Sequence, residues 1–532
     1  MQSLWKLTIF LCCVWTISLL YGEMIAFWIP LWSCSWPNPS SSTSGGELNP
    51  GNRGKVAVLA DPQLMDRTSL ALTPKSLALE TIQFYTDLYM RRSFHASVLS
   101  FKPDLVLFLG DHFDGGPFLS DEEWQESLRR FRHIFNLNQG SIADVKVQYL
   151  SGNHDIGYAG FHSLHPQVIS RYEKEFGERN YRFTIAGVEF IVVDAQTLDG
   201  TTESDLTSTT WHFIKNVSMD VTSGPRVLLT HIPLYRPDGT PCGPYRSSPI
   251  INQRVSRAHP DQGITYQNYL SEETSGHLLD MIRPILVLSG HDHDQCTVIH
   301  TTHAGPVTEH TVGTLSWQQG NLYPSFMLLS ATAVGSSNTS DSEDAVTVHL
   351  CFLPMQTHIY IWYLSLFVVT LLLLLLWPTS GLGCWHHYNH VMEFIGRAIR
   401  STFKAGSKEK DEDDSCEYEM IWDAEGTAHL VKKELKKAPV ASSSDCGLTG
   451  RGNAVVRPTA KKHAAQELEA SYAVDMNTEV KPDDTGKVPR VHKSKARIVI
   501  QRLIRMLRLL TVIAAVNVPL YMMLLFKDWI DQ

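Results

Sequence analysis

Residues Ile359–Trp377 carry no charged side chain and include six consecutive leucines, Leu371–Leu376. A helix over these 19 residues rises about 28 Å, close to the roughly 30 Å hydrocarbon core of a bilayer. Any fold for this chain must therefore accommodate a membrane span. Two further apolar blocks lie near the ends, Leu7–Trp32 and Leu509–Phe526. The first is interrupted mainly by Glu23 and Pro30. Its Leu7–Tyr21 portion has the length of a signal-peptide core, but no small-x-small cleavage site follows and the apolar run resumes at Met24. An uncleaved signal anchor over residues 1–34 is favoured over a cleaved signal. For 509–526 the alternative is a buried core helix, but no folded domain surrounds it.

Orientation follows from the basic residues flanking the spans. Arg397, Arg400, Lys404, Lys493, Lys495, Arg497, Arg502, Arg505 and Arg508 all lie between the second and third blocks. That puts the 378–508 loop in the cytosol and residues 35–355 on the lumenal side. The sequons at Asn216 and Asn338 fall in the lumenal part, as glycosylation there requires. A formal charge of −9 argues against a nucleic-acid partner, which needs clustered Lys and Arg. Nine cysteines in 532 residues are too few for a disulfide scaffold.

Between the first two spans the pattern alternates strand and helix. Residues 35–54 are Pro/Ser/Gly-rich and read as a linker. Val56–Ala60, Asp104–Leu109 and Val145–Leu150 read as strands, and Leu77–Phe101 and Glu122–Leu137 as helices. Tyr181–Val193 reads as a hairpin, with further strands at Arg226–Thr230 and Ile285–Leu288. A domain over 55–350 is large enough for a layered α/β core. The 378–508 loop is read as largely disordered, with a mixed-charge run at Lys408–Asp414 and few aromatic residues. Val391–Lys404 could lie on the cytosolic membrane surface or form a short solvated helix.

Five short motifs occur in order: Asp61-Pro62-Gln63, Gly110-Asp111-His112-Phe113-Asp114, Gly152-Asn153-His154-Asp155, His231, and Gly290-His291-Asp292-His293. Most follow an apolar strand, so their side chains should gather at the carboxyl edge of a sheet, where α/β proteins bind ligands. His291 and His293 are two apart and share a face if the backbone is extended. Alone, each motif is weak, since a Gly-Asp after a strand is commonly a turn. Together, in order and in strand context, they resemble the calcineurin-like metallophosphoesterase superfamily, with its D-x-H, G-D-x-x-D, G-N-H-D/E, H and G-H-x-H pattern.

That resemblance implies an α/β/β/α sandwich holding two divalent ions, with Mn favoured and Fe or Zn as alternatives. Asp61, Asp111 and His293 would hold one metal. Asp111, Asn153, His231 and His291 would hold the other, so that Asp111 bridges. His154 would be the general acid, oriented by Asp114, with Asp155 as a competitor more readily explained as a turn cap. His112 is read as filling its turn. Gln63 stands where the superfamily often has a metal-binding histidine, so it would coordinate weakly or position water. Gly115-Gly116 replaces the Arg-Gly of the serine/threonine phosphoprotein phosphatases.

Within the superfamily, His231-Ile-Pro-Leu-Tyr-Arg236 and the flanking spans look closest to the membrane-bound phosphoesterases that remodel glycosylphosphatidylinositol (GPI) anchors. This implies removal of ethanolamine phosphate from the GPI glycan, in the endoplasmic reticulum or Golgi, with GPI-anchored proteins or GPI glycolipid as partners. The rivals are a phosphodiesterase for another lumenal lipid or nucleotide, and a non-catalytic receptor for GPI cargo. Arg236 is expected either to meet the phosphodiester charge or to form a surface salt bridge. In an oxidising lumen, Cys242 and Cys296 are expected to form a disulfide near the site. Cys384, His386, His387 and His390 have metal-like spacing but abut the second span, so lipidation or an interfacial cluster is the simpler reading.

Overall fold

The computed structural model describes residues 2–38, 53–70, 72–136, 145–162, 165–200, 204–220, 224–249, 252–257, 263–332, 345–377, 418–422, 428–432 and 495–530. Asn338, the Cys384–His390 cluster, the Val391–Lys404 segment, most of the 35–54 linker and most of the 378–508 loop lie outside these residues. Two compact units form: Met1–Trp377 with Ala496–Gln532, and Pro378–Lys495. In the second unit the strands Tyr418–Trp422 and Ala428–Lys432 pair antiparallel.

In the first unit, helix α1 (Gln2–Glu23) leads to strand β1 (Arg53–Leu59), helix α2 (Leu77–Arg92), β2 (Leu105–Phe108), α3 (Asp121–Phe135), β3 (Lys146–Tyr149), the short α4 (Asn153–Ile156) and α5 (Pro166–Phe176). Then follow β4 (Tyr181–Ile185), β5 (Val188–Val193), α6 (Asp205–Met219), β6 (Arg226–Thr230), β7 (Val255–Arg257), β8 (Ile264–Gln267), α7 (Glu272–Ile282) and β9 (Leu286–Ser289). The unit closes with β10 (Cys296–Thr302), β11 (Gly305–Thr311), β12 (Ser325–Thr332), β13 (Val346–Phe352), α8 (Gln356–Leu376) and α9 (Lys495–Trp529). Local signals set these boundaries. Ser120 and Glu123 form a reciprocal cap at the start of α3, and Asn136 ends it in the left-handed conformation. The predicted 77–101 helix is α2 running on through a wider turn, Ser93–Val98, and a tight one, Leu99–Phe101.

Eleven of these strands make two large sheets, ordered β13-β12-β1-β2-β3 and β10-β11-β9-β6-β5-β4, and β7 pairs separately with β8. Alternation along β1 sorts the layers. Val56 and Val58, followed by Ala60, face the second sheet and pack with Val188, Phe190, Val192, Leu229 and Leu288 in the central core. Ala57 and Leu59 face the other way and pack with Phe94, Phe108, Phe131 and Phe135 under α2 and α3. The second sheet's outer face, with Ile191, Val193 and Leu228, is covered by Ile214 of α6 and Leu278 of α7. The result is the α/β/β/α sandwich expected from the sequence. β1, β2 and β3 run parallel, as do β5, β6, β9 and β11, which aligns the carboxyl ends that carry the motifs.

Among the described residues, three helical segments are long and apolar enough to cross a membrane: Leu4–Ser33, Gln356–Leu376 and Ala496–Trp529. The third begins well before Leu509. At one end, Leu7, Leu11, Leu374 and Ile513 pack together. At the other end the helices meet the sheet-and-helix layers. Arg92 of α2 pairs with Glu23 of α1 and, at 2.9 Å, with Asp528 of α9. Tyr363 of α8 donates to Glu23 at 3.0 Å. A disulfide between Cys34 and Cys351 adds a covalent link.

Candidate metal centre

Five loops, each leaving the carboxyl end of a strand, bring the motif residues together. Asp61 follows β1, Asp111 follows β2, Asn153 and His154 follow β3, His231 follows β6, and His291 and His293 follow β9. Sharp backbone turns aim these side chains inward. Asp61, Gln63, Asp111, His291 and His293 all have positive φ, between 39° and 72°, a region sparsely used by residues with a side chain and characteristic of functional sites. His291 and His293 therefore reach the centre from a tight turn, not from the extended backbone expected of them. Gly110 (φ 96°) permits a close approach, because a Cβ there would lie 2.5 Å from His231 Nδ1 and 2.9 Å from the Gly152 nitrogen.

Two triads converge: Asp61, Asp111 and His293, and Asp111, His231 and His291, each with its ligand atoms within 4.8 Å of one another. Asp111 belongs to both. Asn153 Oδ1 lies 3.1 Å from His231 Nε2, so it adjoins the second triad. Hydrogen bonds set the imidazole tautomers. His231 Nδ1 donates to the Leu109 carbonyl at 2.7 Å, which turns Nε2 to the centre. His291 Nε2 donates to the Gln267 carbonyl at 2.9 Å and leaves Nδ1 for a ligand.

Asp61, Asp111 and His231 are fully buried. Burial pushes Asp61 up to about 8, against the pull of His231. Asp111 behaves oppositely: burial opposes its charge, but His231 and His154 outweigh that and hold it below the usual carboxylate range. Burial also lowers His231, yet Asp111 overcomes it and raises the ring to about 9. His291 falls to about 3 and His293 to about 4, in both cases chiefly through burial. A divalent cation would take the place of the protons that Asp61 and His231 hold, beside the unprotonated rings of His291 and His293. Mixed N and O donors suit Mn, Fe or Zn.

The His154 ring is 37% exposed, so it borders the cleft. Its Nδ1 donates to the Asp114 carbonyl, and the Asp114 carboxylate lies 3.6 Å away. Asp114 therefore orients His154 mainly through its backbone, not through the carboxylate expected to do so. Burial works against the charged ring, but Asp111 and Asp114 prevail and raise its pKa. Asp155 turns away from His154. It accepts from the Gly152 and His112 nitrogens at 2.9 and 2.8 Å, and from His112 Nδ1 at 2.8 Å. That is the turn-capping role.

Other expected residues take definite places. Gln63 is buried, and its side-chain amide donates to Asp111 Oδ2 at 3.0 Å. Cys242 and Cys296 are disulfide-bonded. Asn216 is exposed on α6. Arg236 differs from both expectations, since it is neither a surface residue nor free to meet substrate. Only 1% exposed, it donates to Thr311 Oγ1 at 2.9 Å and stacks over Tyr269. At Gly115, where those phosphatases have arginine, a Cβ would lie 2.2 Å from Thr68 Oγ1, and at Gly116 it would lie 2.5 Å from the His154 carbonyl.

Several contributors were missed. Arg246 grips Asp292, between the two histidines, through two bonds of 2.8 and 2.9 Å. Gln318 Nε2 donates to the Gln63 carbonyl at 2.5 Å, and Asn321 Nδ2 donates to the His293 carbonyl at 2.9 Å. Only an acidic residue inside the last motif hinted at the first of these; the other two had no local signal.

Residues 54–295 match the calcineurin-like phosphoesterase family. Cell division control protein 1 of Saccharomyces cerevisiae is 28% identical over 374 residues, covering 67% of this chain and 72% of that protein. Metallophosphoesterase 1 of Rattus norvegicus is 29% identical over 404 residues, covering 71% and 92%. Among solved structures, phosphopantetheinyl hydrolase from Mycobacterium tuberculosis aligns with 50% of this chain and 91% of its own, at 13% identity and a TM-score of 0.27.

Proposed function

We propose that this chain, whose residues 54–295 match the calcineurin-like phosphoesterase family, is a phosphoester hydrolase that removes ethanolamine phosphate from the glycan of GPI anchors, on the lumenal side of endoplasmic reticulum or Golgi membranes. Hydrolysis rests on one observation above the rest: two ligand triads share Asp111, with the partly exposed His154 beside them. Bound there, two divalent ions, preferably manganese, would supply hydroxide and neutralise phosphoryl charge.

The chain's own residues do the remainder. His154, held by Asp114, donates a proton to the leaving oxygen. The backbone nitrogen of His154 donates to Asp111 Oδ1 at 2.8 Å, while Gln63 fixes Oδ2. Both oxygens of the shared carboxylate are thus oriented before any ligand arrives.

Two features support a lumenal catalytic domain. The Cys34–Cys351 and Cys242–Cys296 disulfides belong to the catalytic end of the first unit, as an oxidising compartment allows. Lys6, Arg502, Arg505 and Arg508 lie toward the opposite ends of their helices, as cytosolic flanks should. The GPI substrate is supported by the motif resemblance and by relatives named Metallophosphoesterase 1.

Mass spectrometry of GPI glycans from cells with and without the protein tests the substrate. Ethanolamine phosphate should accumulate in its absence, and unchanged content would remove the proposal. A cargo receptor would be rescued by a His154→Ala chain; an enzyme would not.

A further inference from the structure

A cavity of about 410 Å³ opens where α1, its continuation to Ser33, and α8 meet the catalytic layers. Tyr21, Ile29, Pro30, Met355, Trp362 and Tyr363 are among its walls. All of these but Met355 belong to two segments long and apolar enough to cross a membrane, so in a bilayer the cavity would lie beside lipid.

A short series of contacts leads from this cavity to the metal centre. Phe352, another wall residue, packs against Tyr245 at 4.8 Å and Tyr323 at 6.0 Å between ring centroids. Tyr245 precedes Arg246, which grips Asp292 between His291 and His293. Tyr323 follows Asn321 and Leu322, and Asn321 holds the His293 carbonyl. Tyr245 and Leu322 are 49% and 43% exposed, an apolar rim between cavity and centre.

The catalytic layers are also fixed to the spans. Besides the Arg92 pairs, Tyr89 donates to the Pro354 carbonyl at 2.9 Å, and Trp317 meets Tyr360 of α8 edge-on with ring centroids 5.6 Å apart. Trp317 adjoins Gln318, which holds the Gln63 carbonyl. These contacts hold the layers that carry the candidate metal centre against the helices.

We infer that the cavity between α1 and α8 receives a hydrocarbon chain of the substrate's own lipid, so that the phosphoester reaches the metal centre while its lipid stays in the membrane. This deepens the membrane-bound reading above, on which it rests, but does not depend on the GPI glycan. Binding energy comes from apolar burial at the cavity and is spent on holding the phosphoester at the centre.

The test uses the full chain in liposomes with two chromogenic probes. One is a p-nitrophenyl phosphodiester joined through a short ethylene glycol spacer to diacylglycerol; the other is the same ester ending in methoxy. The wild type should show a KM about tenfold lower for the lipid probe. Ile29→Trp, which fills the cavity, should erase most of that advantage and leave the methoxy probe unchanged. Ser33→Trp provides the second obstruction should Ile29→Trp fail to fold, which loss of methoxy turnover would reveal. Equal KM values in the wild type, or an advantage that survives both folded variants, overturns the inference. Neither outcome bears on the GPI substrate, which glycan analysis decides separately.

Discussion

The side-chain amide of Gln63 donates to Oδ2 of Asp111 at 3.0 Å, so the residue that replaces an expected metal-binding histidine instead orients the shared carboxylate. Gln63→Leu removes this bond without changing charge. A hydrogen bond to a charged group contributes about 1.5–3 kcal/mol, so half-saturating manganese should rise by roughly tenfold or more while turnover at saturation persists. Asp61→Ala should instead abolish activity. A manganese titration of both variants measures the contrast. An unshifted curve for Gln63→Leu would show that the bond does not tune the site.

Asp111→Asn strikes both triads at once. Metal analysis of the purified chain should find both ions lost and turnover nearly absent. Two retained ions with normal turnover would refute the shared-ligand assignment.

His154→Gln should keep its metal content and lose about 10²–10⁴ in kcat for an ester with an alkoxide leaving group. For p-nitrophenolate, which leaves without a proton, the loss should be much smaller. Equal losses on both leaving groups would argue against proton donation.

Glu309 lies fully buried under the His231 loop, accepting from the Leu234 nitrogen at 3.0 Å, Ser289 at 2.7 Å and His300 at 2.8 Å. Burial opposes its charge, but His300 and Arg236 outweigh that and lower its pKa. A depressed carboxyl stabilises the fold above its unfolded value, about 4.3, and that contribution is lost as pH falls through the folded value. Glu309→Gln should therefore be less stable at neutral pH, with the gap to wild type shrinking in acid. Denaturant melts at pH 7 and pH 4 measure this, and a gap that widens in acid contradicts it.

The sandwich and most of the centre were legible because the ligands sit directly after parallel strands, where five separate loops must converge. Asp61, Asp111, His231, His291 and His293 were expected from the order of their motifs and the resemblance that order carries, and the structure brings them together. Arg236 was misjudged because its fate depends on Thr311 and Tyr269, far along the chain. The Cys34–Cys351 bridge spans 317 residues and leaves no local trace. Gln63 was recognised as a departure, but its partner became visible only once β1 and β2 were side by side.

Arg92 finds its acidic partners at opposite ends of the sequence, Glu23 and Asp528. During synthesis every metal ligand emerges from the ribosome long before Asp528 does. A premature stop after residue 377 would leave the whole catalytic sequence intact yet deprive Arg92 of one counter-ion at the membrane boundary. Assembly of this boundary thus waits on a helix synthesised after the whole catalytic sequence.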